Sequence, residues 1–281
     1  MEHVELFLLG GSYVTVDEGV ALELYGRSRS GEAVVARYYG FRPYFDLLEP
    51  PAASLEKLSH DPEVLEVHPI RLWVGGSEHD AARVTIRYPY KVPEYRERYR
   101  QPGVEDSVLA CDIPFFQRFL YDKALGLCVQ FDAEPEPPEV AAKYTVPKVL
   151  RVVVGDGRDI RAGEAFRPAL TVLSFDIENA IRERTIYTIC GVVHGADGGR
   201  RSFRLSDPDE RKILRAFAEE VREADPDVLT GYNIGGYDVP LLQERAETLK
   251  IGELSLGRDG GPVREAGERL WRLSGRVVAD A

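Results

Sequence analysis

Two carboxylates two residues apart in an otherwise apolar strand constrain this chain more than any other feature. The segment is Leu173-Ser174-Phe175-Asp176-Ile177-Glu178-Asn179. Successive side chains of a strand point to opposite faces, so Asp176 and Glu178 share one face and Phe175 and Ile177 the other. Like charges held side by side repel and lose hydration. A divalent cation relieves both costs, and Mg²⁺ or Mn²⁺ favours carboxylate oxygen. A strand end whose acids are simply solvated is the alternative, and for a lone Asp-x-Glu it is the commoner one.

A second stretch bears on that choice. Asp225-Pro226-Asp227-Val228-Leu229-Thr230-Gly231-Tyr232-Asn233-Ile234-Gly235-Gly236-Tyr237-Asp238-Val239-Pro240 predicts a turn, a short buried strand over 227–230, a glycine loop, and a helix with Pro240 in its first turn. Asp238 then lies at a helix N-terminus. There a carboxylate either caps the backbone or reaches out to share a metal with an acidic neighbour. With Asp-x-Glu on a strand upstream, the arrangement suggests an acidic metal site at the strand ends of an α/β sheet.

Phe175-Asp176-Ile177-Glu178 and Asn233-Ile234-Gly235-Gly236-Tyr237-Asp238, the latter preceded by Asp225-Pro226-Asp227, resemble the first and second exonuclease motifs of family B DNA polymerases. The resemblance implies a 3′→5′ proofreading exonuclease of ribonuclease-H-like fold that works with Mg²⁺ or Mn²⁺. By position it makes Asp176, Glu178 and Asp238 the catalytic metal ligands. It also lays Asn233 and Tyr237 along the single-stranded substrate.

A length of 281 residues suits one large or two ordinary domains, and 44% hydrophobic content suffices for a core. No apolar run approaches a membrane span, and Met1-Glu2-His3-Val4-Glu5 lacks a signal-peptide pattern. The expectation is a cytoplasmic protein with no membrane partner. Cys111, Cys128 and Cys190 have no metal-like spacing, so buried, reduced thiols are expected. With 36 basic and 47 acidic residues the net charge is −11, which argues against a surface that grips nucleic acid everywhere. A local basic groove remains compatible with weak, salt-sensitive binding.

Before the acidic motifs, the pattern predicts a meander of strands with turns at Gly10-Gly11-Ser12 and Asp17-Glu18-Gly19. A short helix over 54–59, strands over 64–74 and 82–87, a charged helix over 94–100, and a helix entered through Asp112 and Pro114 follow. Phe41-Arg42-Pro43-Tyr44, Tyr88-Pro89 with Val92-Pro93, and Asp112-Ile113-Pro114-Phe115 resemble the pocket-forming segments of the amino-terminal domain of archaeal family B polymerases. That resemblance implies a uracil pocket lined by Pro43, Tyr44, Pro89, Val92 and Phe115. Prolines and aromatics make a stiff slot suited to an extruded base, and they also suit ordinary packing.

Acidic, proline-rich 133–139 reads as an exposed linker. Together these readings predict a two-domain α+β and α/β chain. Residues 1–168 form a mixed, β-rich template- and uracil-reading domain, and 169–281 a partial ribonuclease-H-like exonuclease domain. In it a helix begins at Ser206-Asp207-Pro208 and presents Ile213, Leu214, Phe217 and Val221 as one stripe. No third exonuclease motif and no polymerase motif follows, so weak metal binding and little catalysis by the chain alone are expected. The expected partners are single-stranded or template DNA, the remainder of a polymerase, and a sliding clamp engaged through that remainder. The alternative is a stand-alone, non-catalytic module that binds single-stranded DNA and recognises deaminated bases.

Overall fold

A computed structural model describes residues 1–17, 19–101 and 107–281; Glu18, of the expected turn after the first strands, lies outside the described residues. From the amino terminus, β1 (Glu2–Val16), β2 (Gly19–Ser28), β3 (Ala33–Tyr39) and β4 (Tyr44–Leu48) lead to α1 (Ala52–Ser59) and the hairpin β5 (Val64–Val74) and β6 (Ser77–Ile86). Then come α2 (Val92–Tyr99), β7 (Val108–Leu109), α3 (Phe115–Asp122), β8 (Cys128–Pro135), α4 (Pro138–Ala141), β9 (Lys148–Val152) and β10 (Arg161–Ala162). The remainder holds β11 (Val172–Asn179), β12 (Ile186–His194), β13 (Arg200–Leu205), α5 (Glu210–Ala224), β14 (Val228–Gly231), α6 (Asp238–Thr248), β15 (Arg264–Gly267), β16 (Leu270–Arg272) and β17 (Val277–Asp280). The architecture is mixed and sheet-rich α+β. Among the described residues no helix is long and apolar enough to cross a membrane.

Two compact units partition the chain. One comprises Met1–Ser12, Glu23–Arg37 and Gly126–Ala281, the other Tyr13–Leu22 and Tyr38–Leu125. The segment 1–168 therefore contributes to both. The second unit contains a four-stranded sheet in the order β5-β6-β4-β7. Phe45, Leu47, Leu58, Val84, Ile86, Val92 and Tyr95 form its core.

The first unit contains a five-stranded sheet in the order β13-β12-β11-β14-β17. β11 runs antiparallel to β12 and parallel to β14, and β17 adds parallel to β14. Strand alternation sends Phe175 and Ile177 inward and leaves Asp176 and Glu178 exposed. Against the inward face lies α5, whose Ile213, Leu214, Phe217 and Val221 are all buried. The Phe175 and Phe217 rings meet at 4.9 Å. Each such side chain contributes about 1.5–3 kcal/mol through burial, so this stripe holds the acid-bearing strand in place.

Four expectations need correction. The three thiols are not buried: Cys190, on the outer face of β12, is exposed, and Cys111 and Cys128 are half-buried. β1 runs unbroken through Gly10-Gly11-Ser12: it pairs with both β2 and β8, and the Ser12 hydroxyl donates to buried Glu23 at 2.6 Å. The β8 ladder ends at Phe7, so it is the continuing strand with β2 that carries the chain through two glycines of weak strand preference. The 133–139 segment is no linker, because Ala133-Glu134-Pro135 pairs with β9 and buried Glu136 lies 3.8 Å from buried Arg37. α5 begins at Glu210, capped by Asp209, whose carboxylate accepts from the Arg211 N–H at 3.1 Å; Asp207 instead accepts from the Asp209 N–H.

A buried ionic network fixes where β11 and β14 begin. Asp227, with 0% exposure, accepts at one oxygen from Arg27 Nε and Arg258 Nη2, both at 2.8 Å. Its other oxygen accepts from the Thr171 N–H at 2.9 Å. Asp225, left-handed at φ 40° where α5 stops, takes Arg258 Nε and Arg276 Nη1, each at 2.9 Å. The Asp-Pro-Asp of the second motif thus ties the sheet to three arginines. Burial, together with the nearby Arg258 charge, pulls Arg276 down to about 10, still far above neutral pH.

Candidate functional site

Asp176 and Glu178 stand on the exposed face of β11 just beyond the point where the β14 pairing ends at Ser174. A bulge between Glu178 and Asn179 follows at once. Bulges bend a strand and re-aim its side chains. Asp238 is the first residue of α6, and its carboxylate crosses to β11 and accepts from the Ile177 N–H at 3.1 Å. Ile177 is the residue between the two strand acids, so this bond ties both motifs together. At 3% exposure Asp238 is nearly sealed from water. Burial first, and then the Asp176 charge, push its carboxyl up to about 6, with Asp280 adding repulsion.

The intervening loop places the two substrate candidates. Asn233 is exposed and left-handed at φ 56°, a conformation its short amide tolerates. Its carbonyl accepts from the Gly236 and Tyr237 N–H groups at 3.1 and 3.0 Å, which winds the chain into α6. The Tyr237 hydroxyl donates to Asn179 Oδ1 at 3.0 Å, and the Arg184 guanidinium lies 5.3 Å from its ring centroid. Tyr237 is therefore held at the end of β11. Gly235 has no room for a side chain, since a Cβ would stand 2.7 Å from the Arg269 carbonyl oxygen. Gly235→Ala is expected to destabilise the chain by about 1–3 kcal/mol through this overpacking, read as a lower urea midpoint; an unchanged midpoint would contradict the geometry.

Carboxylates are the donors that Mg²⁺ and Mn²⁺ select. Among the described residues, however, no three His, Cys, Asp or Glu side chains gather closely enough to enclose an ion. The arrangement fits an open site, in which an ion keeps water and takes only one or two carboxylates.

In the second unit, the expected pocket residues are well ordered by packing. Pro43 is buried and its carbonyl accepts from the Ile86 N–H at 2.9 Å. The Tyr44 hydroxyl donates to Asp122 at 3.0 Å, and the Arg83 and Arg118 guanidiniums lie 3.9 and 4.9 Å from its ring centroid. Burial and the Asp122 bond push the Tyr44 phenol up. Phe115 opens α3 and packs on Phe41 at 5.4 Å, so α3 brings Phe115 and the 41–44 segment together. Val92 instead joins the separate cluster around Phe45 and Tyr95. Pro89 begins the short 3-10 turn Pro89–Lys91, flanked by the stacked Tyr88 and Tyr90 rings.

Several residues escaped the motif reading. Tyr13 sets its ring edge-on to Phe115 at 5.6 Å, and burial and neighbouring Tyr90 push its phenol up. Asp280, opposite Gly231 on β17, adds a carboxylate beside Asp238. Trp271 donates its indole N–H to the Gly235 carbonyl at 2.7 Å. Their signals in the sequence are single residues without a repeating pattern, which only folding brings to the motifs.

The family model described as "DNA polymerase family B, exonuclease domain" matches residues 203–269, a span that includes Asn233, Tyr237 and Asp238 and starts after Asp176 and Glu178. "DNA polymerase 2" of Aeropyrum pernix is 32% identical over 97% of this chain and 36% of its own length. "DNA polymerase" of Archaeoglobus fulgidus is 30% identical over 100% of this chain and 35% of its own length. The solved family B DNA polymerase from the hyperthermophilic archaeon Pyrobaculum calidifontis superposes with a TM-score of 0.80 at 27% identity, over 98% of this chain and 36% of that one. The chain is similar to archaeal family B DNA polymerases over nearly its whole length, and it spans about a third of the length of the relatives it matches.

Proposed function

We propose that residues 169–281 carry part of a 3′→5′ proofreading exonuclease of ribonuclease-H-like plan, and that residues 1–168 read the template strand. The observation that carries the first reading is the Asp238 carboxylate, bonded to the Ile177 N–H between Asp176 and Glu178 and pushed to about 6 by burial and by Asp176. Such electrostatic stress is what a bound divalent cation relieves. An ion held there would supply Lewis-acid stabilisation of the phosphodiester undergoing hydrolysis. Asp176, Glu178 and Asp238 are the carboxylates from which such an ion would draw its one or two protein ligands, water filling the rest. Asn233 and Tyr237 line the path of the single strand, with Tyr237 fixed by Asn179.

The test is Mn²⁺ binding followed by electron paramagnetic resonance. The chain is expected to bind Mn²⁺ weakly, in keeping with an open site, and Asp176→Asn or Asp238→Asn is expected to weaken it at least about tenfold, the worth of one charge-assisted contact. Equal binding by all three proteins would overturn the assignment.

For the template-reading role, Pro43, Tyr44, Pro89 and Phe115 supply rigid walls for an extruded uracil, with Tyr13 against Phe115 as a further wall, while Val92 packs in the Phe45 cluster. Tyr44 serves as a fixed wall because its ring and hydroxyl are already engaged. Anisotropy of oligonucleotides that differ by one uracil for thymine, at low salt and without divalent ions, decides this part. Tighter binding of the uracil strand is expected, and equal binding would reject the pocket. In the intact polymerase, the DNA substrate, the remaining domains and a sliding clamp are the partners this reading calls for.

A further inference from the structure

Among the described residues, the hairpin of β15 and β16 pairs only with itself, apart from the five-stranded sheet. Every residue of β15 is exposed, as are Leu270 and Arg272 of β16. Trp271 is the exception. Its ring packs against the core cluster under the acid-bearing sheet, and its Nε1 donates to the Gly235 carbonyl at 2.7 Å. Gly235 lies midway between Asn233 and Tyr237, in the loop that delivers Asp238 to β11.

The contact is close on every side. A Cβ on Gly235 would stand 2.7 Å from the Arg269 carbonyl oxygen, 3.1 Å from an Asp280 carboxylate oxygen and 3.6 Å from the Trp271 ring. The loop is thus clamped between the hairpin and β17. Within the loop, the Asn233 carbonyl holds the Gly236 and Tyr237 N–H groups. Trp271 gives the Gly235 carbonyl a side-chain donor from outside the loop. A displacement of the hairpin therefore pulls on Gly235 and is passed to Asn233 on one side and Tyr237 on the other.

We infer that Trp271 is a positioning residue for the acidic site: through the Gly235 carbonyl it sets the loop that presents Asn233, Tyr237 and Asp238, so that a single-stranded 3′ end bound there is sensed at the hairpin. This rests on the exonuclease reading of that site. Geometry must be held within a fraction of an ångström for such a site to bind productively. Of the contacts that hold this loop, the Trp271 bond is the one that links it to the hairpin.

The chain contains two tryptophans, Trp271 and the 75% exposed Trp73 of the other unit. Trp73→Phe leaves Trp271 as the sole indole reporter. In that protein, oligothymidylate with a phosphorothioate at its 3′ end, added with Mn²⁺, is expected to shift Trp271 emission. Asp238→Asn in the same background should abolish the shift. Separately, Trp271→Phe keeps the packed ring and removes the N–H. It should weaken binding of the labelled oligonucleotide about tenfold, the effect of one lost hydrogen bond, with the far-ultraviolet circular dichroism spectrum unchanged. Mn²⁺-dependent binding that Trp271→Phe leaves intact, with no emission change in the Trp73→Phe protein, would overturn the role of Trp271 while the exonuclease reading stands. Absence of Mn²⁺-dependent binding in the unsubstituted chain would overturn both.

Discussion

Asp227→Ala is expected to destabilise the fold by about 3–5 kcal/mol, the range for breaking a buried, hydrogen-bonded charge network. The carboxylate has 0% exposure and satisfies three donors at once: Arg27 Nε, Arg258 Nη2 and the Thr171 N–H. Removing it leaves Arg258, itself with 0% exposure, short of one of its two acidic partners, and Arg27 loses its buried one. The freed Thr171 N–H sits immediately before β11, so the loss is felt at the strand that bears Asp176 and Glu178. Asp227→Asn retains an acceptor for Thr171 and should lose less. Urea denaturation compares the three proteins. A loss below about 1 kcal/mol for the alanine variant would show that Asp225 alone sustains the network, as an exposed pair would leave it.

Asp238→Asn is expected to act in the opposite sense, stabilising the chain at neutral pH without divalent ions by on the order of 2–3 kcal/mol. The folded-state carboxyl is raised from 3.8 to about 6, so the fold favours its protonated form. That favourable contribution is complete below the unfolded value of 3.8 and disappears as pH rises through about 6. Above that, the ionised group is a burden that asparagine does not carry, and the amide oxygen still accepts from the Ile177 N–H. Thermal melts at pH 7.5 and pH 4 should show a wide gap between the two proteins at the higher pH and a narrow one at the lower. Excess Mn²⁺ should narrow the gap at pH 7.5 by favouring the ionised carboxylate. A variant no more stable than the original at pH 7.5 would mean that the buried charge is already compensated.

Much of the secondary structure is legible in local pattern. Alternation around Asp176 and Glu178 places Phe175 and Ile177 inward, and the 3.6-residue stripe of α5 buries Ile213, Leu214, Phe217 and Val221. Local signals fail where a distant partner outweighs them. Gly10-Gly11 reads as a turn, yet β1, paired with β2, continues through it as strand. Glu134-Pro135-Glu136 reads as a solvated linker, yet β9 and Arg37 draw it into the fold. Proline at 135 is admissible there because it ends its strand.

The residue types of the candidate site and their order along the chain were determined by the sequence alone: two acids on one strand face, a glycine loop, and an acid at the head of a helix. Only the tertiary structure decided that the Asp238 carboxylate reaches the Ile177 N–H, because that bond depends on β14 stopping at Gly231 and leaving β11 open beside it. It likewise decided that Asp225 and Asp227 belong to an arginine network, and that Trp271 and Asp280 close upon Gly235. These contacts join residues far apart in the chain, and their free energy comes from burial and charge pairing that no local window of sequence contains.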